Sequence, residues 1–192
     1  DESIENFFRF VAEQAPRVDM LLHAIAFAPR EAGTLEGHFS DIGREAFRSS
    51  LDISAYSLIA LSRGVAPLMT CGGSITALTY HASRCVVPNY NLMAVSKSAL
   101  ESCTRYLAYD LAQREAPIRV NCISAGPVQT LAARGVSGFT TMLKLYQEKA
   151  PLHRSCTQDE LGAMAAYLAS DAAAAVTGQV LYVDGGYSIM GM

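Results

Sequence analysis

No long run of like charge occurs in this 192-residue chain, and 15 basic against 18 acidic residues leave a formal net charge of −3. That balance disfavours a nucleic-acid-binding protein, which needs a basic surface to displace counterions from phosphates. No apolar stretch is long enough to span a bilayer and no N-terminal signal pattern is present, so a cytoplasmic protein without a membrane partner is expected. The five cysteines, Cys71, Cys85, Cys103, Cys122 and Cys156, are odd in number and contain no C-x-x-C pair; neither a disulfide framework nor a metal site is expected of them. There is no internal repeat, no low-complexity tract and no G-x-G-x-x-G run. Nor is there an initiator methionine: the chain opens at Asp1 in mid-pattern on an amphipathic helix near 4–14, and a preceding segment is expected.

What is present is 51% hydrophobic residues, enough for one buried core and one domain over 1–192. The apolar run 18–28, ended by Pro29, reads as a strand buried on both faces, with His23 a hydrogen-bonded core residue rather than a ligand. A loop at 30–40 and a long helix at 44–69 follow. Next come a strand at 71–78, a connection at 80–88, a helix at 89–114 stopped before Pro117, and a strand at 118–123. That last strand breaks at Ser124, Ala125, Gly126 and Pro127, an ordinary turn or a place where backbone approaches a ligand. Small residues over 128–138 suit a lid. Helices at 140–149 and 157–169 precede a final strand at 179–184, and Thr157 and Glu160 stand at capping-box spacing. Four strands alternating with helices predict an α/β fold: a doubly wound, Rossmann-like parallel sheet flanked by helices on both faces.

One stretch within this pattern carries chemistry: TYHASRCVVPNYNLMAVSK, residues 79–97. Tyr90 and Lys97 stand seven residues apart, two helical turns and about 10 Å along an axis, so phenol and ammonium can share a face. A lysine beside a tyrosine favours the phenolate and lowers the phenol's pKa, which suits proton donation to an oxyanion or carbanion. The bland alternative is a buried tyrosine and a solvated lysine.

Tyr90-x6-Lys97, the strand ending IRVNCISAGP and the closing GQVLYVDGG together resemble the short-chain dehydrogenase/reductase superfamily. More narrowly, HAIAFAP, LTYHASRCVVPNYNLMAVSK, RVNCISAGPVQTLAARG and VDGGYSIMGM are similar to the NADH-type enoyl-acyl-carrier-protein reductases of bacterial fatty-acid synthesis. The resemblance implies reduction of the carbon–carbon double bond of a trans-2-enoyl thioester. It makes Tyr80, Tyr90 and Lys97 the active-site residues: Tyr90 bonded to the thioester oxygen, Lys97 on the nicotinamide ribose, and Tyr80 near the substrate. It puts Ile25 on the adenine side of the cofactor, and Val128, Gln129, Thr130, Leu131 and Ala132 along the nicotinamide and pyrophosphate. Ala28, Met93, Ala133, Val136 and Phe139 would join Tyr80 and Tyr90 around the acyl chain.

Carbonyl-reducing relatives usually carry a serine thirteen residues before the tyrosine; here Ala77 stands there, with Ser74 and Ser83 nearby. The family's first β-α-β-α-β segment, with its glycine-rich turn and the residue selecting NADH or NADPH, has no counterpart in the sequence. An N-terminally truncated fold is therefore expected, and a non-catalytic structural remnant is the other reading. The implied partners are an acyl-carrier-protein-bound enoyl substrate and further copies of the chain in a homotetramer. Arg134, Lys144, Lys149 and Arg154 are candidate contacts for the acidic carrier.

Overall fold

The computed structural model describes residues 2–129 and 138–191. The chain runs α1 (Glu2–Gln14), β1 (Met20–His23), α2 (Arg44–Leu51), a π-helical turn (Asp52–Tyr56), α3 (Ser57–Val65) and β2 (Gly73–Thr79). It continues through α4 (Asn91–Leu111), β3 (Ile118–Ala125), α5 (Phe139–Lys149), α6 (Gln158–Ala169) and β4 (Val180–Val183).

All strand pairs are parallel, in the spatial order β1-β2-β3-β4. Parallel strands need crossovers, and these crossovers are helices that bury the sheet from both sides. α4 packs on β2 and β3 from one side, α6 from the other. Side chains along β2 alternate between the layers. Ile75 and Ala77 join Leu58, Leu100, Val120 and Cys122 in one core, while Leu78 joins Ile123, Leu168 and Ala173 in the second. The doubly wound parallel sheet expected from the sequence is thus the fold.

Several boundaries differ from the sequence reading, for local reasons. Of the apolar run 18–28, only Met20–His23 is strand. Beyond it the backbone leaves the sheet and is held by serines instead: Phe27 N–H donates to Ser54 Oγ at 2.8 Å, and Ser50 Oγ and Ser54 Oγ donate to Phe27 O at 2.9 and 3.0 Å. The expected helix at 44–69 runs without interruption to Leu68, but it contains the π turn, which rotates the helical register and brings Ser50, Ser54 and Ser57 to one side. Ser57 Oγ reaches His23 Nε2 at 2.8 Å, which makes His23 the hydrogen-bonded core residue expected. The capping box of Thr157 and Glu160 is present. The VDGG turn has a steric cause: Gly185 has φ +69, and a Cβ there would meet Arg154 O at 2.4 Å. Asp184 closes that turn by accepting from Gly186 N–H and Ser188 N–H, both at 2.9 Å.

Candidate active site

The parallel register sets His23, Ala77 and Cys122 side by side near the carboxyl ends of the strands. Leu78 and Thr79 end β2 just beyond that level, and Tyr80 leaves it. In sheets of this kind ligands bind off the carboxyl ends, and a cavity of about 740 Å³ opens there. Ala28, Tyr80, Tyr90, Met93, Lys97, Val128 and Phe139 all line it.

Tyr90 reaches the cavity by a turn rather than from within a helix, which corrects the two-turn geometry inferred from spacing. The helix begins at Asn91, and Tyr90 is its N-cap, with φ −131 and ψ 22, neither helical nor extended. Asn89 before it adopts φ 62, the left-handed region that asparagine tolerates. Asn91 after it donates through Nδ2 to Gly33 O at 3.0 Å and Gly37 O at 3.2 Å, and Leu92 N–H donates to Thr34 O at 2.8 Å. The loop at 33–37 therefore supplies the acceptor that an unpaired helix start needs. In the sequence PNYN, the two asparagines orient the tyrosine between them.

Tyr80 packs edge-on against Tyr90, with ring centroids 4.9 Å apart at 69°. Its hydroxyl contacts Met142 Sδ at 3.6 Å. Behind it Tyr146 is buried and stacks on Tyr187 at 3.9 Å and 13°, and the Tyr146 hydroxyl interacts with Tyr80 without a hydrogen bond of good geometry among the described residues. Tyr146 and Tyr187 were not singled out in the sequence, because only the fold brings residues of α5 and the tail together.

The ionisation of the pair is the reverse of the sequence expectation. Burial holds the Tyr90 phenol well above its ordinary value, and the neighbouring Tyr80 adds to the rise. Lys97 is the group that moves down, to about 8, because its ammonium is desolvated. Its Nζ donates to Leu78 O at 2.8 Å. Burial outweighs the mutual influence of the two groups, so Tyr90 remains a neutral hydroxyl donor at neutral pH.

Other expected residues fall elsewhere. Ile25 is exposed and lies outside the cavity wall. Gln129 lines an adjoining cavity of about 550 Å³ that shares Pro127 and Val128. Thr130, Leu131, Ala132, Ala133, Arg134 and Val136 lie outside the described residues. Arg154 is engaged within the chain by both oxygens of Glu160, at 2.6 and 2.8 Å, which removes it as a free docking cation. The wall also contains Phe27, Leu35, Leu161 and Met142, apolar positions that no motif in the sequence marked. No serine lines it among the described residues: Ala77 is buried in β2, and Ser74 Oγ is turned to Leu168 O at 2.8 Å in the other layer.

Residues 1–188 match the family described as enoyl-(acyl carrier protein) reductase. The chain belongs to that family. Its similarity to the NADH-dependent enoyl-[acyl-carrier-protein] reductase FabI of a Synechocystis species is 49% identity over the whole chain and 73% of the relative. The enzyme of the same name from a Nostoc species is 50% identical over the same shares. Among solved structures of this reductase family, the Bacillus cereus enoyl-acyl carrier protein reductase with NADP+ and indole naphthyridinone superposes with a TM-score of 0.95 at 44% identity, covering 100% of this chain and 73% of that one. The Aquifex aeolicus reductase gives 0.92 at 44% identity over the same shares.

Proposed function

We infer that this chain reduces the carbon–carbon double bond of trans-2-enoyl thioesters with NADH, the enoyl reduction of fatty-acid synthesis. The observation that carries the reading is one cavity holding Tyr80, Tyr90 and Lys97 against an otherwise largely apolar wall.

NADH, when bound, would supply the hydride to the β-carbon, and solvent water the proton that completes the reduction at the α-carbon. Lys97 fits the cofactor's ribose hydroxyls, since its ammonium has three donors and, among the described residues, one protein acceptor, Leu78 O, which leaves two N–H groups for ligand oxygens. Tyr90 donates a hydrogen bond to the thioester oxygen, where negative charge gathers as the β-carbon is reduced. Its raised pKa keeps that donor protonated. Tyr80 supports Tyr90 by ring packing and lies within the same wall. Ala28, Met93 and Phe139 give the acyl chain an apolar lining. Val128, in the cavity wall after the small residues that end β3, would face the nicotinamide.

The reading includes a cytoplasmic homotetramer whose substrate arrives on an acidic acyl carrier protein. Exposed Tyr106 and Tyr109 on α4 and Phe47 on α2 support self-association through these helices. Five free cysteines suit a reducing compartment. Lys144 and Lys149 on exposed α5 are the remaining described candidates for carrier contact.

The deciding assay follows NADH absorbance with two substrates, a crotonyl thioester and a 3-ketoacyl thioester. Turnover of the first alone is expected; turnover confined to the second would replace this reading with carbonyl reduction.

A further inference from the structure

Glu101 lies one helical turn beyond Lys97 on α4, and residues four apart on a helix are neighbours on one face. It is 6% exposed, an expensive place for a carboxylate. Thr79 Oγ1 donates to its Oε1 at 2.8 Å. Thr79 is the last residue of β2 and lines the cavity; Leu78 before it receives Lys97, and Tyr80 follows. Consecutive residues at the end of β2 are therefore tied to α4 by two side chains of opposite charge.

We propose that Glu101 is a positioning residue for the reduction. It is the countercharge that keeps the Lys97 ammonium protonated in a dry site, and through Thr79 it fixes the strand end from which Tyr80 departs. A packing role alone would be met by a neutral side chain of the same shape. Of the other groups facing Lys97, Cys122 favours the ammonium more strongly than Glu101 does, but as a neutral thiol where Lys97 titrates it supplies no standing charge. His23, from β1, is pushed down to about 4 by burial and by Lys97 itself. Cys122, from β3, is pushed up to about 11. Tyr80 and Tyr90 are both raised. Arg84 on the connecting segment is exposed and senses Glu101 behind its stronger interaction with Tyr182.

The proposal rests on the enoyl-reductase reading for its catalytic consequence, though its electrostatic part can be read without cofactor or turnover. Competitive acetylation of the chain across a pH series, read by mass spectrometry, gives the midpoint at which Lys97 becomes nucleophilic. The expected result is a midpoint near 8 in the unsubstituted chain and a fall of about one pH unit in Glu101→Gln. The alkaline limb of kcat/KM should move down with it. Thr79→Val should lower kcat while the melting temperature stays within a few degrees, and Thr79→Ser should restore it. An unmoved Lys97 midpoint in folded Glu101→Gln overturns the proposal. If that variant does not fold, the unsubstituted chain decides: the ¹³C-labelled Glu101 carboxyl resonance should show an inflection at the Lys97 midpoint, and a flat trace overturns the idea. A chain with the expected midpoints but no turnover of enoyl thioesters would count against the functional reading and leave the Glu101–Lys97 coupling standing.

Discussion

Tyr90 and Lys97 share a cavity, and the separate tasks proposed for them should be separable by substitution. Tyr90→Phe would remove the hydrogen bond proposed to strengthen as charge develops on the thioester oxygen. A donor of that kind is worth about 3 kcal/mol, so kcat should fall roughly a hundredfold with cofactor affinity nearly intact. Lys97→Met would remove the proposed ribose donors and should raise the cofactor KM strongly. Steady-state kinetics with varied NADH checks both; an unchanged kcat in the first variant or normal cofactor binding in the second removes that residue from its role. His23 makes a different prediction, about stability. Its folded pKa of about 4 lies below the ordinary 6.5, so the unfolded chain binds the extra proton first. Stability is unaffected above about pH 6.5 and falls as pH drops toward 4, by about 3 kcal/mol across that window. Urea midpoints measured from pH 7 to pH 4 should show the loss, and His23→Asn should flatten it.

At the level of the element, packing decides more than propensity. Gly64 sits in α3, where alanine would ordinarily be the better helix former by about 1 kcal/mol. Here a Cβ would stand 2.2 Å from Phe8 Cδ2, the buried anchor of α1. Gly64→Ala should therefore destabilise by about 1–3 kcal/mol. In a Phe8→Ala background the same change should become neutral or stabilising, a sign reversal that thermal melts of the four chains would expose. Such couplings mark what a sequence does not disclose. The strand and helix order was readable because hydrophobic period and breakers are local, and Thr157 with Glu160 announced their own cap. The π turn after α2 was not readable, since nothing in RSSLDISAYS distinguishes a wide turn from an α-helix until Ser50 and Ser54 meet Phe27. Tyr80, Tyr90 and Lys97 were legible as a motif. Their ionisation was not, because the phenol's burial depends on Tyr80 and on walls drawn from distant parts of the chain.

On the scale of the whole molecule, the sheet has an uneven finish. β4 follows β3 at one margin, and β1 lies at the other with no neighbour on its outer side among the described residues. Leu22 is 46% exposed on that strand, and Phe27 beyond it 44%. An open parallel edge beside apolar side chains invites association. The 192-residue chain on its own should show marginal stability or concentration-dependent scattering; a sharp, reversible melt of a soluble monomer would contradict this. Exposed Tyr106 and Tyr109 lie on the outer side of α4, so a defined oligomer and an aggregate are separate outcomes. Sedimentation at several concentrations distinguishes them, a fixed tetramer following from the helices and open-ended growth from the strand edge.

The tyrosine cluster has an optical consequence. The chain contains nine tyrosines and no tryptophan, so its ultraviolet emission is tyrosine emission alone. Tyr80 and Tyr90 line the cavity, and Tyr146 and Tyr187 stack just behind. Reduced nicotinamide absorbs on the long-wavelength side of tyrosine emission, and a dinucleotide seated on Lys97 would drain excitation from these rings before the peripheral ones. Binding to this site can thus be followed by the dimming of the protein's own light, without a label and before any substrate is added.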